Sequence, residues 1–283
     1  MILVYLKGER NRIFGLPKTH TISYKDPVNP EQLKFLLWCL SIFTGMRLTS
    51  EEAGFLDATP IKIGLLNDFN PCNIKFLEDA LLLGHDFWEK HANDDKRLTL
   101  LIGIIHSYFL SKTPGLLCYE KFTYLYTALD ACYRFTFEFL PNQAKSERSQ
   151  GKAADINHAK RIEWTCRHFG IPVPTWAKQQ QDKKTGRKFS LVSAIRNPLA
   201  HEGLFFGEIL GYAATGGQYD LPEWHGVPLQ MNNLILRFIV ALLGKHDLSY
   251  VHSPIDKADT IGLDFYDLHK PDQGHGNQAT ICQ

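Results

Sequence analysis

The sequence lacks the features that would place it in a membrane, a disulfide scaffold or a metalloprotein. No stretch reaches the ~18 consecutive apolar residues of a membrane-spanning helix. The opening MILVYL is a short apolar run with no basic region before it, so it does not read as a signal peptide. A cytoplasmic chain with no membrane contact is the expectation. Cys39, Cys72, Cys118, Cys132, Cys166 and Cys282 form no CxxC pair and no Cys/His zinc spacing. Free thiols buried in a reducing compartment are expected, with neither metal nor cofactor. There is no internal repeat.

What is present is apolar content. At 283 residues, with 44% hydrophobic and 22% charged residues, the chain can bury a sizeable core in one large or two modest domains. The net charge of +1 hides an asymmetry. Residues 1–141 carry 15 Lys and Arg against 16 Asp and Glu, residues 142–200 carry 12 against 4, and residues 201–283 carry 4 against 10. A positive middle segment of this kind attracts polyanions. Its basic stretches, KSERSQGK and QQQDKKTGRK, also fit solvated loops. Within the second, Lys183, Lys184, Arg187 and Lys188 are the candidate polyanion contacts.

The N-terminal 27 residues read as extended, with two short strands. At Asn29 the pattern becomes helical: Asn29 is an N-cap, Pro30 the first helical residue and Gly45 the stop. Residues 46–71 are irregular, with a turn of helix around SEEAGFL. NIKFLEDALLLGHDFWEKH, RLTLLIGIIHSYFLSK and the long GLLCYEKFTYLYTALDACYRFTFEFL follow as helices. The long one has two apolar stripes, Leu125/Leu129/Tyr133/Thr136/Leu140 and Tyr124/Ala128/Phe135/Phe139, so both faces need cover from its own bundle or from a partner subunit. Further helices are ADINHAKRIEWTCRHFG, the stretch from Ser190 and PLQMNNLILRFIVALLGKH. The fold class is mainly all-α: an antiparallel bundle of four to five long helices after a short extended N-terminal segment. The expected division is 1–70 as an N-terminal region, 71–248 as the bundle and 249–283 as a disordered tail.

One short motif carries chemistry. In SLVSAIRNPLAHEG, Val192, Ile195 and Leu199 mark a buried stripe, and Arg196 and His201 lie five residues apart. Five steps of ~100° leave them about 140° out of line on an ideal helix, where they would not converge. Pro198, which lacks an N–H and disfavours helix at Asn197, and Gly203 offer a kink or an end that brings His201 round to Arg196. Otherwise a second subunit completes the pair. A histidine titrating near neutral pH and a planar, permanently charged arginine suit phosphodiester transfer without a metal. The plain alternative is that RNPLAH is only a helix stop.

IRNPLAHEG resembles the R-x(4–6)-H motif of the HEPN superfamily, and EKFTYLYTALDACYRF resembles the preceding long helix of its ApeA-like group. An acidic residue follows an Ala-Leu pair there, and here it is Asp130. The resemblance spans roughly residues 73–247 and implies a helical bundle, commonly dimeric, with arginine and histidine of two protomers near a shared cleft. It further implies a metal-independent endoribonuclease of defence or toxin systems, leaving 2′,3′-cyclic phosphate ends. By position, Arg196 would stabilise the phosphate, His201 would be general acid or base, Asn197 would orient groups within the site, and Asp130 would join it. RNA, a second copy of the chain, and an antitoxin or nucleotidyltransferase are the partners implied. The chain itself lacks the Gly-Ser motif and paired aspartates of the last.

Other polar residues have simpler readings. Asp130 and Arg134 stand at i and i+4, as in an intrahelical ion pair. His158 and His168 read as surface residues and His106 as a hydrogen-bonded core histidine, while His269 and His275 are isolated. Trp164, Trp176 and Trp224 fit packing better than base stacking. Ser193 has no base and acid in the order a hydrolase needs, so acyl transfer is set aside. The rival to catalysis is a non-catalytic module that dimerises or binds RNA or a protein partner.

Overall fold

The computed structural model describes residues 11–13, 16–18, 29–45, 47–48, 74–140, 157–186, 188–210 and 226–256. MILVYL, SEEAGFL, KSERSQGK, Arg187, Trp224, Cys72, Cys282 and the tail beyond residue 256 lie outside them. The fold is mainly helical, with eight α-helices among the described residues and three two-stranded hairpins.

The short strands β1 (Asn11–Ile13) and β2 (Leu16–Lys18) pair antiparallel. Helix α1 (Pro30–Thr44) begins as its sequence dictates. Asn29 Oδ1 accepts the Glu31 N–H at 2.9 Å, Pro30 occupies the first turn, and Gly45 ends the helix at φ 64°. Helix α2 (Ile74–His91) packs on it closely, because a Cβ at Gly84 would stand only 3.2 Å from Cys39 Cβ and Leu36 Cδ2. Phe35 stacks on Phe87 across this contact, with ring centres 5.7 Å apart. Helix α1 therefore shares one hydrophobic core with the helices that follow rather than standing apart with residues 1–70.

Helix α3 (Asp95–Leu110) leads to α4 (Cys118–Phe139), the longest helix at 22 residues. Both stripes of α4 are covered within the chain. It packs on α3, on α5 (His158–His168), on α6 (Leu191–Glu202) and on α7 (Val227–Val240). Leu125, Ala128, Leu129, Cys132, Tyr133, Phe135 and Thr136 are buried along it. Cys39, Cys132 and Cys166 are buried free thiols, their pKa values pushed up by burial. His106 stacks on Trp38 at 5.4 Å, and Arg47 lies on Trp38 at 3.4 Å.

Helix α7 passes through a π-turn (Ala241–Lys245) to the short α8 (Ser249–His252). The segment Val227–Lys245 is long and apolar enough to cross a membrane, at mean hydropathy 1.4, but 78% of it is buried inside the protein. It also holds Arg237, which is fully buried. That guanidinium donates to the Asn233, Ser253 and Pro254 carbonyls at 2.9, 3.2 and 2.8 Å and to Ser253 Oγ at 2.9 Å. It also lies 4.7 Å from the centre of the Tyr250 ring. Residues 249–256, expected within a disordered tail, are instead packed: Tyr250 and Val251 are buried because Arg237 gathers the carbonyls beyond them.

Arg237→Ala would strand several buried acceptors, each costing about 1–3 kcal/mol. We expect a loss of about 3 kcal/mol in urea unfolding with an unchanged slope. A loss below about 1 kcal/mol would show that the segment after α7 is held by other contacts.

Candidate functional site

The site is built on α6 and α4. Helix α6 starts from a reciprocal cap in which Ser193 Oγ accepts the Ser190 N–H at 2.8 Å and donates to the Ser190 carbonyl at 2.9 Å. Ser193 is 2% exposed and engaged in this cap, in line with setting acyl transfer aside. Val192 and Ile195 are buried as expected, and Leu199 is half-buried.

The helix does not end at Pro198. It runs to Glu202 with the proline inside it, and Gly203 at φ 67° then ends it, donating its N–H to the Pro198 carbonyl. Arg196 and His201 therefore stay on one helix, yet Arg196 Nη1 lies 3.4 Å from His201 Nε2. The expectation that such residues would not converge on one helix is wrong. It compared Cα directions, whereas five residues rise only about 7.5 Å and the long arginine side chain spans that rise around the helix. The same Nη1 donates to Asn197 Oδ1 at 3.1 Å. Arg196, Asn197 and His201 thus form one cluster within a single chain.

Two features hold the cluster in place. Beyond Gly203, strands β5 (Leu204–Phe205) and β6 (Glu208–Ile209) form a hairpin, and the Leu210 N–H donates to the Gly203 carbonyl at 3.0 Å. Phe205, 2% exposed, packs on Phe122 and Tyr119 at the start of α4, at 5.9 and 6.4 Å. The helix end that carries His201 is thereby fastened to α4.

Between α3, α4 and α6 lies an open cleft of about 700 Å³. Asp130, Arg134 and Arg196 line it, with Phe122, Tyr126 and Leu199 among its apolar walls. His201 meets the Arg196 guanidinium from outside that lining. Asp130 and Arg196 share the cleft, but Asp130 is bound elsewhere. Its Oδ1 accepts Arg161 Nη1 from α5 at 2.6 Å, and His158 Nδ1 stands 3.7 Å away. The intrahelical pair with Arg134, the simplest reading of the spacing, gives way to this tertiary pair as the contact that fixes the carboxylate. Among the described residues no carboxylate is paired with Arg196; its side-chain partners are Asn197 and His201.

Two side chains of this site escaped sequence reasoning. Arg161 is buried, with its guanidinium 5.0 Å from the Tyr133 ring centre. Its signal was position: it falls in the stripe Arg161, Ile162, Thr165 and Cys166, all buried. An arginine in such a stripe requires a carboxylate partner. Tyr126, one turn before Asp130, has its pKa pushed up to about 12 by burial and by the Asp130 charge, with Arg196 and Arg161 pulling the other way.

The basic stretch is an ordered hairpin rather than a plain loop. Strand β3 (Gln180–Gln181) pairs with β4 (Lys188–Phe189), and Asp182 Oδ1 accepts the Lys184 and Thr185 N–H groups at 2.7 and 3.2 Å. Lys183, Lys184 and Lys188 are exposed on it. It enters α6 at Ser190, so these lysines stand at the opposite end of that helix from His201, a helix roughly 18 Å long. His158 and His168 are half-buried rather than surface residues, one beside Asp130 and the other stacked on Trp164 at 5.4 Å. Trp176 is a packing residue whose Nε1 donates to Gln230 at 2.8 Å.

No protein-family model, curated protein or solved structure matches the chain.

Asp130→Asn should lower the Tyr126 pKa but leave it above the ordinary value of 10, because burial, the larger cause, remains. Tyrosine ring carbon shifts followed by NMR against pH would read this directly. The same change should cost about 2 kcal/mol, since it weakens the charge compensation of a buried guanidinium. An unmoved Tyr126 titration would mean that the carboxylate does not face the phenol.

Proposed function

We propose that the chain is a metal-independent endoribonuclease of HEPN type. One observation carries this reading: the Arg196 guanidinium stands at a cleft with no carboxylate paired to it among the described residues, in contact with His201 at 3.4 Å. A permanently charged fork without a carboxylate partner is suited to an anion, and its planar geometry suits a phosphate.

The reaction follows from the two groups. The ribose 2′-oxygen attacks the adjacent phosphorus, forming the O2′–P bond as the P–O5′ bond breaks. A base removes the proton from O2′ and an acid supplies one to O5′, leaving a 2′,3′-cyclic phosphate and a 5′-hydroxyl. His201 carries one of these protons, and Arg196 stabilises the charge that grows on the non-bridging oxygens. Asn197 orients Arg196 through the same Nη1 that meets His201. Lys183, Lys184 and Lys188 would meet the RNA backbone further along, and Arg187 belongs to the same basic run. The setting proposed is the cytoplasm, in a defence or toxin response, with the chain acting as a homodimer and an antitoxin or nucleotidyltransferase as further partner.

A non-catalytic reading draws on one observation: His201 sits in the last turn of α6, where a cationic ring is favoured by the helix dipole and has a purely structural use. Cleavage separates the two. RNA incubated with the protein in EDTA should be cut to cyclic-phosphate ends. Arg196→Ala and His201→Ala should each lower the rate by about 10²–10³-fold with unchanged circular dichroism. Arg196→Lys should fall well short of wild type, because a point charge does not replace the fork. Absence of cutting by the wild type at every pH tried, or full activity in both alanine variants, would remove the pair from any mechanism.

A further inference from the structure

The cleft beside Arg196 has a chemistry of its own. Phe122 and Tyr126 on α4, Leu100 on α3 and Leu199 on α6 give it an apolar wall, and its charged lining residues are Lys96, Asp130, Arg134, Glu138 and Arg196. Of those charges, Lys96 is paired with Glu138 and Asp130 with Arg161. Arg196 has no carboxylate partner among the described residues. Thr123 and Thr127 line the cleft with their hydroxyl protons already donated to the carbonyls one turn back, at 2.7 and 2.8 Å. About 700 Å³ falls within the size range of small-molecule sites. An apolar slot bordered by a guanidinium that no carboxylate among the described residues pairs matches a flat, apolar-faced ligand that carries a phosphate.

We propose that this cleft is a nucleoside subsite. One unpaired base of a single-stranded RNA lies against the Phe122, Tyr126 and Leu199 walls, and the phosphate attached to that nucleoside is held by Arg196. The inference rests on the ribonuclease reading and deepens it. It puts the scissile phosphate between a guanidinium that lines the cleft and an imidazole outside it, so the two flanking nucleosides are held unequally. One is enclosed and the other rests on the surface near His201. A base-paired strand cannot offer its base to the slot, so the substrate class is single-stranded RNA. The same walls would also accept an apolar segment from a second copy of the chain, and the experiment separates the two occupants.

Thr127 is exposed, lines the cleft and forms only a local bond with its own helix, so Thr127→Trp fills the slot without touching the core. Ala200→Trp fills it from α6. The probe is a set of 2′-O-methyl tetranucleotides, which cannot be cut, with affinity measured by titration calorimetry alongside thermal melting and sedimentation. Each tryptophan variant should bind at least tenfold more weakly than wild type at unchanged sedimentation. The self-complementary duplex form of a probe should bind no better to wild type than to Thr127→Trp. Wild-type affinity in both folded variants overturns the subsite. So does a shift of both from dimer to monomer with oligonucleotide affinity retained, because the slot then belongs to the second copy. Binding is read without cleavage, so the two ideas fail separately. Tetranucleotide binding that the tryptophans block, without RNA cutting, keeps the subsite and sinks the nuclease. RNA cutting that both tryptophan variants leave intact does the reverse.

Discussion

The contact between Asp130 and Arg161 decides what the rest of the site can do. Two carboxylates, Asp130 and Glu138, line the same cleft as Arg196, and a carboxylate paired with its guanidinium would neutralise it. Glu138 is drawn to Lys96, and Asp130 is drawn across to α5 by a buried arginine at 2.6 Å. A buried guanidinium is costly without a counter-charge, so Arg161 holds this carboxylate firmly. The consequence is a separation of charge along one wall. The Asp130 side has its anion satisfied, and the Arg196 side presents a cation with no paired carboxylate among the described residues. Tyr126 registers this field, since Asp130 raises its pKa while Arg196 and Arg161 lower it.

Much of the fold could be read locally, and the reasons are local. Asn29, Pro30 and Gly45 delimit α1 because capping depends on a side chain and backbone a few residues apart. Gly203 ends α6 for the same kind of reason, as only a residue free to take φ 67° continues the chain there without strain. What could not be read was reach and distance. The Arg196–His201 contact depends on side-chain length, which a helical wheel omits. The Asp130–Arg161 pair joins residues 31 apart, and spacing alone offered Arg134 instead. Residues 249–256 looked aperiodic because their order comes from one distant arginine rather than from an amphipathic face.

Helix α6 ties these elements to one another. Its start is fixed by the cap at Ser190 and Ser193 and by the basic hairpin that leads into it. Its end is fixed by Gly203 and by Phe205 seated on α4. A helix pinned at both ends keeps the Arg196 side chain in register with the cleft. It also sets the exposed lysines and His201 at a constant separation along one axis. Under the proposed function the strand would follow that axis, and the lysines would add affinity and salt dependence without taking part in bond breaking.

The role of a second subunit changes once Arg196 and His201 meet within one chain. A partner is not required to bring the two together, since 3.4 Å already separates them. Under the proposed reaction a single Arg196–His201 pair is one proton carrier short. Cleavage through the 2′-oxygen needs one group to accept a proton and another to donate one in the same step, and one imidazole cannot occupy both states at once. A second His201, brought near by two-fold symmetry, would supply the other half. Within one protomer, the imidazole beside the cleft's anionic wall is His158, 3.7 Å from Asp130. Under the proposed reaction, dimerisation would therefore answer a shortage of proton-transfer groups rather than a failure of the arginine and histidine to converge.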